Sequence, residues 1–138
     1  MEFNFEVLDA IKKLNPSYIC IVSNQRGIEL GYINKLNFKC KFEYIERAIF
    51  DYTNIITFGN YCSSNIDKMN CKPNIGMLER SLYDINIRML TIEYSKKDCL
   101  MIGDASGLEG QFSDTDKKTA ENFGIDYLDV DEFVKQYN

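Results

Sequence analysis

Cys99-Leu100-Met101-Ile102-Gly103-Asp104-Ala105-Ser106-Gly107 is the stretch on which the fold turns. Residues 99–102 read as a short buried strand. Gly103 permits a tight turn at its end, and Asp104 then lands just past the strand. In open α/β sheets, ligands lie beyond the carboxyl ends of the strands. A carboxylate there can hold a hard cation through oxygen. The run continues through Gln111-Phe112-Ser113-Asp114-Thr115-Asp116, where Ser113 and Asp116 have the spacing of a capping box. The helix that follows carries Ala120 and Phe123 inward and stops at Gly124, a favourable residue for a helix end. Residues 127–128 make a short last strand. Asp129 and Glu132 form a second capping-box pair before a terminal helix holding Phe133 and Tyr137.

Upstream, the same alternation repeats. Asn4 can cap a helix over residues 4–14, with Val7, Leu8, Ile11 and Leu14 on one face. Glu6 and Asp9 lie early and Lys12 and Lys13 late, matching the helix dipole. Pro16 closes the segment. Residues 18–22, Tyr-Ile-Cys-Ile-Val, read as a buried parallel strand. A second helix is predicted over 38–50, with Phe38, Phe42, Ile45 and Ile49 inward. Residues 55–58 are a second short strand, ended by Gly59, and 60–71 a polar loop. Pro73 opens a helix over 74–83. Residues 89–94 read equally as a connection or a minor strand. Strands alternating with helices predict one α/β domain, a three-layer Rossmann-like unit with a parallel sheet.

With 138 residues, 45% of them hydrophobic, the chain suffices for one domain with a real core. Sixteen basic and 21 acidic residues leave a net charge of -5, and no Lys/Arg run marks a nucleic-acid footprint. No apolar run is long enough for a membrane helix, and Met1-Glu2-Phe3-Asn4-Phe5 does not resemble a signal peptide. Five cysteines without a Cys-x-x-Cys pair read as reduced thiols of an intracellular protein. The chain has no histidine, which excludes His-based triads and His general-base chemistry within it.

Three strand-end groups line up on this framework. Ser23 follows the first strand, Lys72 precedes a helix, and Asp104 follows the strand at 99–102. In a parallel sheet all three face one crevice. A hydroxyl, an ammonium and a metal-holding carboxylate suit a phosphate group. Each residue also has a plain structural role open to it: Ser23 as a turn cap, Lys72 as a solvated lysine, Asp104 as an acceptor for backbone N–H groups. Asp116 reads first as a helix-start acid and only second as a metal ligand.

Val22-Ser23-Asn24-Gln25-Arg26-Gly27-Ile28 followed by Leu30-Gly31 resembles the second motif of haloacid-dehalogenase-type phosphatases. Lys72-Pro73 with Gly76-Met77 resembles their third. Met101 to Ser106, and Phe112 to Asp116, resemble the fourth as it occurs in polynucleotide 3′-phosphatases, as does Ala120-Glu121-Asn122-Phe123-Gly124-Ile125. The resemblance covers about residues 18–133. It implies Mg²⁺-dependent hydrolysis of a phosphomonoester at a nucleic-acid 3′ end. Ser23 would bind phosphoryl oxygen, Lys72 would neutralise the phosphate, and Asp104 would hold Mg²⁺. Asn24 and Arg26 are candidate substrate contacts, although solvent exposure suits Arg26 equally, and loop organisation by hydrogen bonding suits Asn24 and Gln25 better. Histidinol-phosphate and heptose-bisphosphate phosphatases share the Ser-Asn-Gln and Lys-Pro-x-x-Gly-Met patterns. The zinc loop of some heptose-type members lacks its ligands here.

The departure from the family is as informative. Such enzymes begin with a central strand ending Asp-x-Asp-x-Thr, whose first Asp attacks phosphorus. No such strand precedes Asn4, and Asp114-Thr115-Asp116 and Asp129-Val130-Asp131 read as helix caps. The expectation is therefore a sheet without its first, central strand, with a gap between the strands ending at Ser23 and Asp104 or a foreign strand filling it. The chain alone is expected to have little turnover. A complementing N-terminal segment would supply the nucleophile. The competing reading is a non-catalytic protein that binds a nucleic-acid end or another protein.

Overall fold

The computed structural model describes residues 3–25, 34–62, 70–88 and 92–137. The order is α1 (Phe5–Leu14), β1 (Tyr18–Asn24), α2 (Lys35–Thr53), β2 (Ile56–Cys62), α3 (Gly76–Arg88), β3 (Leu100–Gly103), α4 (Thr115–Phe123), β4 (Asp126–Asp129) and α5 (Val130–Tyr137). A single 3₁₀ turn, Lys96–Asp98, leads into β3. The Asn4 side chain accepts from Val7 N–H at 3.3 Å, so the sequence-level cap of α1 is the real one.

The strands pair as β1 with β2 and β3 with β4, both parallel. Among the described residues these are two separate two-stranded sheets; β1 and β3 are not hydrogen-bonded to each other. The sequence predicts one parallel sheet with a gap, or a foreign strand, between the strands ending at Ser23 and Asp104; the ladders show two small parallel sheets, and one continuous sheet is not confirmed. Period-two alternation along β2 shows how each sheet is covered. Asn60 donates to Ser81 of α3 at 2.9 Å, and Cys62 packs on Met77. Gly59 and Tyr61 point the other way, against Phe38 and Phe42 of α2. α3 and α4 share a core of Leu78, Met101, Ala120 and Phe123 on one face. α2 covers the opposite face, and α1 packs against both α2 and α5.

Several boundaries move. β2 does not stop at Gly59 but runs on to Cys62. A Cβ at Gly59 would lie 2.6 Å from the Phe42 ring, so the glycine serves close helix–strand packing rather than a turn. α2 and α3 extend further than their apolar faces indicate. α3 starts at Gly76, not next to Pro73, whose bond to Lys72 is cis. Of the ambiguous stretch 89–94, residues 89–91 lie outside the described residues, and 92–94 have no regular structure. Cys62 and Cys71 are disulfide-bonded with Cα atoms 5.2 Å apart, whereas Cys20, Cys40 and Cys99 are free. This corrects the reading of five reduced cysteines, and cysteine state no longer argues for an intracellular location. Among the described residues no helix is long and apolar enough to cross a membrane.

A cavity of about 1050 Å³ follows β1 and β3 along their unpaired edges. Residues 18–22 line one side and 100–102 the other. Leu78, Leu82 and Ile85 of α3 line it too, as do Ile11, Leu14 and Phe133 from α1 and α5. All seven residues of β1 remain partly exposed, which is unusual for an apolar parallel strand between helix layers.

Candidate active site

Lys72 joins the two half-sheets. Its main chain is clamped by Asn24 at the end of β1: Lys72 N–H donates to Asn24 Oδ1 at 2.9 Å, and Asn24 Nδ2 donates to the Lys72 carbonyl at 3.1 Å. Its ammonium reaches across to Asp116 Oδ1 at 2.5 Å. Asp116 Oδ2 in turn accepts from Ala105 N–H, just past β3, at 3.2 Å. The carboxyl ends of β1 and β3 are therefore linked through Lys72 and Asp116. Ser23 sits next to the Asn24 clamp and Asp104 next to Ala105, so both sequence-level candidates flank the Lys72–Asp116 pair.

The pair is largely withdrawn from water, with 16% of the Lys72 side chain and 8% of that of Asp116 exposed. Only one of the three ammonium N–H donors is engaged by Asp116. Among the described residues no second acceptor is recorded for the ammonium. The Ser23 hydroxyl accepts from Gln25 Nε2 at 2.8 Å, which leaves its own proton free to donate. Asn24 uses both ends of its amide on Lys72, so it acts in loop organisation. Arg26, with Gly27, Ile28, Leu30 and Gly31 of the same motif, lies outside the described residues.

Asp104 is exposed, and no side-chain partner is recorded for it among the described residues. Those residues contain no group of three His, Cys, Asp or Glu side chains placed to share a metal ion. Asp104 alone offers one exposed carboxylate, so no metal site is identified among the described residues. Mg²⁺ commonly takes one or two carboxylates, with water and substrate phosphate completing the octahedron.

Sequence reasoning missed two things here. Asp116 is not a capping residue: Asp114 occupies the N-cap position of α4, and the Thr115 N–H is taken by Ser113 Oγ at 3.1 Å. The hint was Gly103, whose absent side chain leaves room for Asp116; a Cβ there would lie 2.5 Å from Asp116 Oδ2. The second is a network under the Asp104 loop. Ser106 Oγ donates to Asp129 Oδ1 at 2.6 Å and lies 2.5 Å from the Tyr127 hydroxyl. Gln111 Nε2 donates to the same Asp129 oxygen at 2.8 Å, while Gln111 Oε1 accepts from Ser106 N–H at 2.7 Å. Asp129 Oδ2 also accepts from Asp131 N–H at 3.1 Å, so its role as a helix-start acceptor is real. In the two Asp-x-Asp pairs, Asp116 and Asp129 are held by the hydrogen bonds above, while Asp114 is half exposed beside Lys118 and stands at the start of α4 rather than at a strand end. Cys20 does not offer one either: burial, followed by the neighbouring Cys99 thiol, pushes its thiol up to about 12.

Burial alone would raise the Asp129 carboxyl, but the hydrogen bonds from Ser106, Gln111 and Asp131 outweigh it and hold the group below its ordinary 3.8. A carboxyl lowered on folding stabilises fully above its unfolded value, and that contribution is lost as pH falls through the folded one. Urea midpoints measured between pH 5 and pH 3 are expected to fall, and Asp129→Asn to flatten part of that slope.

The family model for polynucleotide kinase 3 phosphatase matches residues 2–134. A bifunctional polynucleotide phosphatase/kinase of Schizosaccharomyces pombe is 32% identical over 130 residues. That alignment takes in 91% of this chain and 28% of the relative, so the chain spans under a third of the length of that protein.

Proposed function

Because the chain belongs to the polynucleotide kinase 3 phosphatase family, we propose that it forms the phosphate-binding body of a Mg²⁺-dependent phosphatase acting on nucleic-acid 3′-phosphate ends. The observation that carries this reading is the Lys72 ammonium. It is held by buried Asp116 between the ends of β1 and β3, with no second acceptor among the described residues. Ser23 donates its hydroxyl proton to a phosphoryl oxygen. Lys72 opposes the phosphate charge and, after transfer, that of an acyl phosphate. Arg26 adds a second cationic contact to substrate. Asp104 would hold Mg²⁺, which when bound neutralises phosphate charge.

The nucleophile is the missing part. We assign its place to the cavity between β1 and β3. A parallel strand seated there would have a hydrogen-bonding edge on both sides and apolar side chains on both faces. Its carboxyl end would emerge beside Lys72. An Asp at that end attacks phosphorus as the P–O3′ bond breaks, and a second acid two residues on protonates the leaving hydroxyl. Water then hydrolyses the aspartyl phosphate with that second residue as base. A complementing segment ending Asp-x-Asp-x-Thr meets this description.

The chain of residues 1–138, without such a segment, is expected to bind a 3′-phosphoryl oligonucleotide more tightly than its 3′-hydroxyl counterpart and to release no phosphate. Fluorescence anisotropy with and without Mg²⁺ checks this, and Asp104→Asn is expected to remove the Mg²⁺-dependent part. Equal affinity for both ends would favour a protein-binding remnant. Metal-dependent phosphate release by the chain alone would contradict the missing nucleophile.

A further inference from the structure

Asn24 and Cys62 are partners in the last rung of the β1–β2 ladder. The chain that returns to this rung meets it with two consecutive residues. Cys71 is bonded to Cys62 through sulfur, and Lys72 is clamped by the Asn24 amide through both its N–H and its carbonyl. Asn74 N–H then donates to the Cys71 carbonyl at 2.9 Å, which closes a turn around Lys72 and Pro73. Val22 and Met77, the latter in the first turn of α3, pack with the two bonded cysteines. The two ties differ in kind. The hydrogen bonds of part-buried Asn24 compete with water and are each worth little net. The covalent tie spans nine positions of sequence and takes freedom from the segment that carries Lys72.

We propose that Cys62 and Cys71 are a thiol–disulfide exchange site that sets the phosphate affinity of Lys72, with the disulfide as the binding-competent form. This deepens the phosphatase reading and rests on it for the ligand. The oxidant is a small-molecule disulfide of the glutathione class. The thiolate of one cysteine attacks it, which forms a mixed disulfide and releases one small thiol. The thiolate of the other cysteine then displaces the second small thiol. The cysteine pair gives up two electrons, the reagent gains them, and both protons end on the released thiols. An excess of small dithiol runs the exchange backwards and leaves as its own cyclic disulfide. Both cysteines are buried, so exchange is slow and the state persists once set. In the dithiol form Lys72 keeps its contacts to Asn24 and Asp116, but residue 71 is released from the rung. The ammonium is then less pre-ordered for an anion, and binding bears the cost of ordering it.

The test is fluorescence anisotropy of the full chain with a 3′-phosphoryl oligonucleotide, after equilibration with oxidised glutathione or with excess dithiothreitol. Thiol titration should count three free thiols in the first form and five in the second. The oxidised form should bind about tenfold more tightly, and its Lys72 and Asn74 amides should exchange more slowly. Cys62→Ala with Cys71→Ala should bind as the reduced form under both conditions, and Cys40→Ser should keep the full response. Asn24→Ala should weaken binding more in the reduced form than in the oxidised one, because the two ties to one rung support each other. Equal affinity in two forms that both prefer the 3′-phosphoryl end overturns the proposal. So do five thiols under both conditions, or a reduced chain that loses its far-ultraviolet circular dichroism, which would make the bond a staple of the fold alone. The phosphate reading fails separately: 3′-phosphoryl and 3′-hydroxyl strands then bind alike in both forms, while amide exchange at Lys72 still follows the thiol state.

Discussion

A peptide with an apolar strand ending Asp-x-Asp-x-Thr, added at about 100 times its dissociation constant, is expected to raise the melting temperature of the isolated chain by roughly 5–10 °C. Two features make the effect large. β1 and β3 both present unpaired edges to a cavity of about 1050 Å³, so one inserted strand completes two ladders. A typical strand of five or six residues would gain several hydrogen bonds, each worth about 1 kcal/mol net. Its side chains would also leave water against Leu78, Leu82, Leu14 and Phe133, at roughly 25 cal/mol per Å² of apolar surface. Amide hydrogen exchange should slow in residues 18–22 and 100–102. A scrambled peptide of the same composition should do neither. If the designed peptide leaves both melting and exchange unchanged, the cavity is not a strand seat.

Asp116→Ala is expected to cost about 3–5 kcal/mol, the usual penalty for stranding one partner of a buried ion pair. Lys72 cannot reach bulk water fully, since 16% of its side chain is exposed. Ala105 N–H also loses its acceptor, adding about 1 kcal/mol. Urea denaturation measures the sum. Lys72→Met with Asp116→Leu should cost far less than Asp116→Ala, because no charge is left buried alone. Asp114→Ala is the internal control. Its pair with Lys118 is open to solvent, with side chains 49% and 58% exposed, and should contribute under about 1 kcal/mol. A small loss for Asp116→Ala would mean that Lys72 relaxes into water and is not held for an anion.

Elements that announce themselves locally were legible from the residues alone. The β-branched run at 18–22 is β1, Asn4 caps α1, and Gly124 ends α4 in the left-handed region. The family membership was legible in the ordered motifs around Ser23, Lys72 and Asp104. What the chain hides is set by contacts between distant residues. Gly59 looks like a strand end until Phe42 is seen against it. Asp116 looks like a helix cap until Lys72, 44 positions away, is found on its carboxylate. Cys62 and Cys71 meet because β2 overruns its apolar stretch and the chain returns beside it. The division into two sheets could be anticipated only as a gap, because hydrogen-bond pairing is not written in strand composition. Of the candidate site, Asn24 keeps a role different from substrate contact, and Arg26 lies outside the described residues.

The central claim is that the ends of β1 and β3 form a phosphate site lacking only a strand-borne carboxylate. Phosphate release from a 3′-phosphoryl oligonucleotide with Mg²⁺ tests it most directly, using the chain with the strand peptide and with the same peptide carrying Asn for its first Asp. Release is predicted with the Asp peptide, none with the Asn peptide or with the chain alone, and none with the Asp peptide on Lys72→Ala. Release that is indifferent to the first Asp, or no release from an Asp peptide that hydrogen exchange shows seated between β1 and β3, would contradict the account.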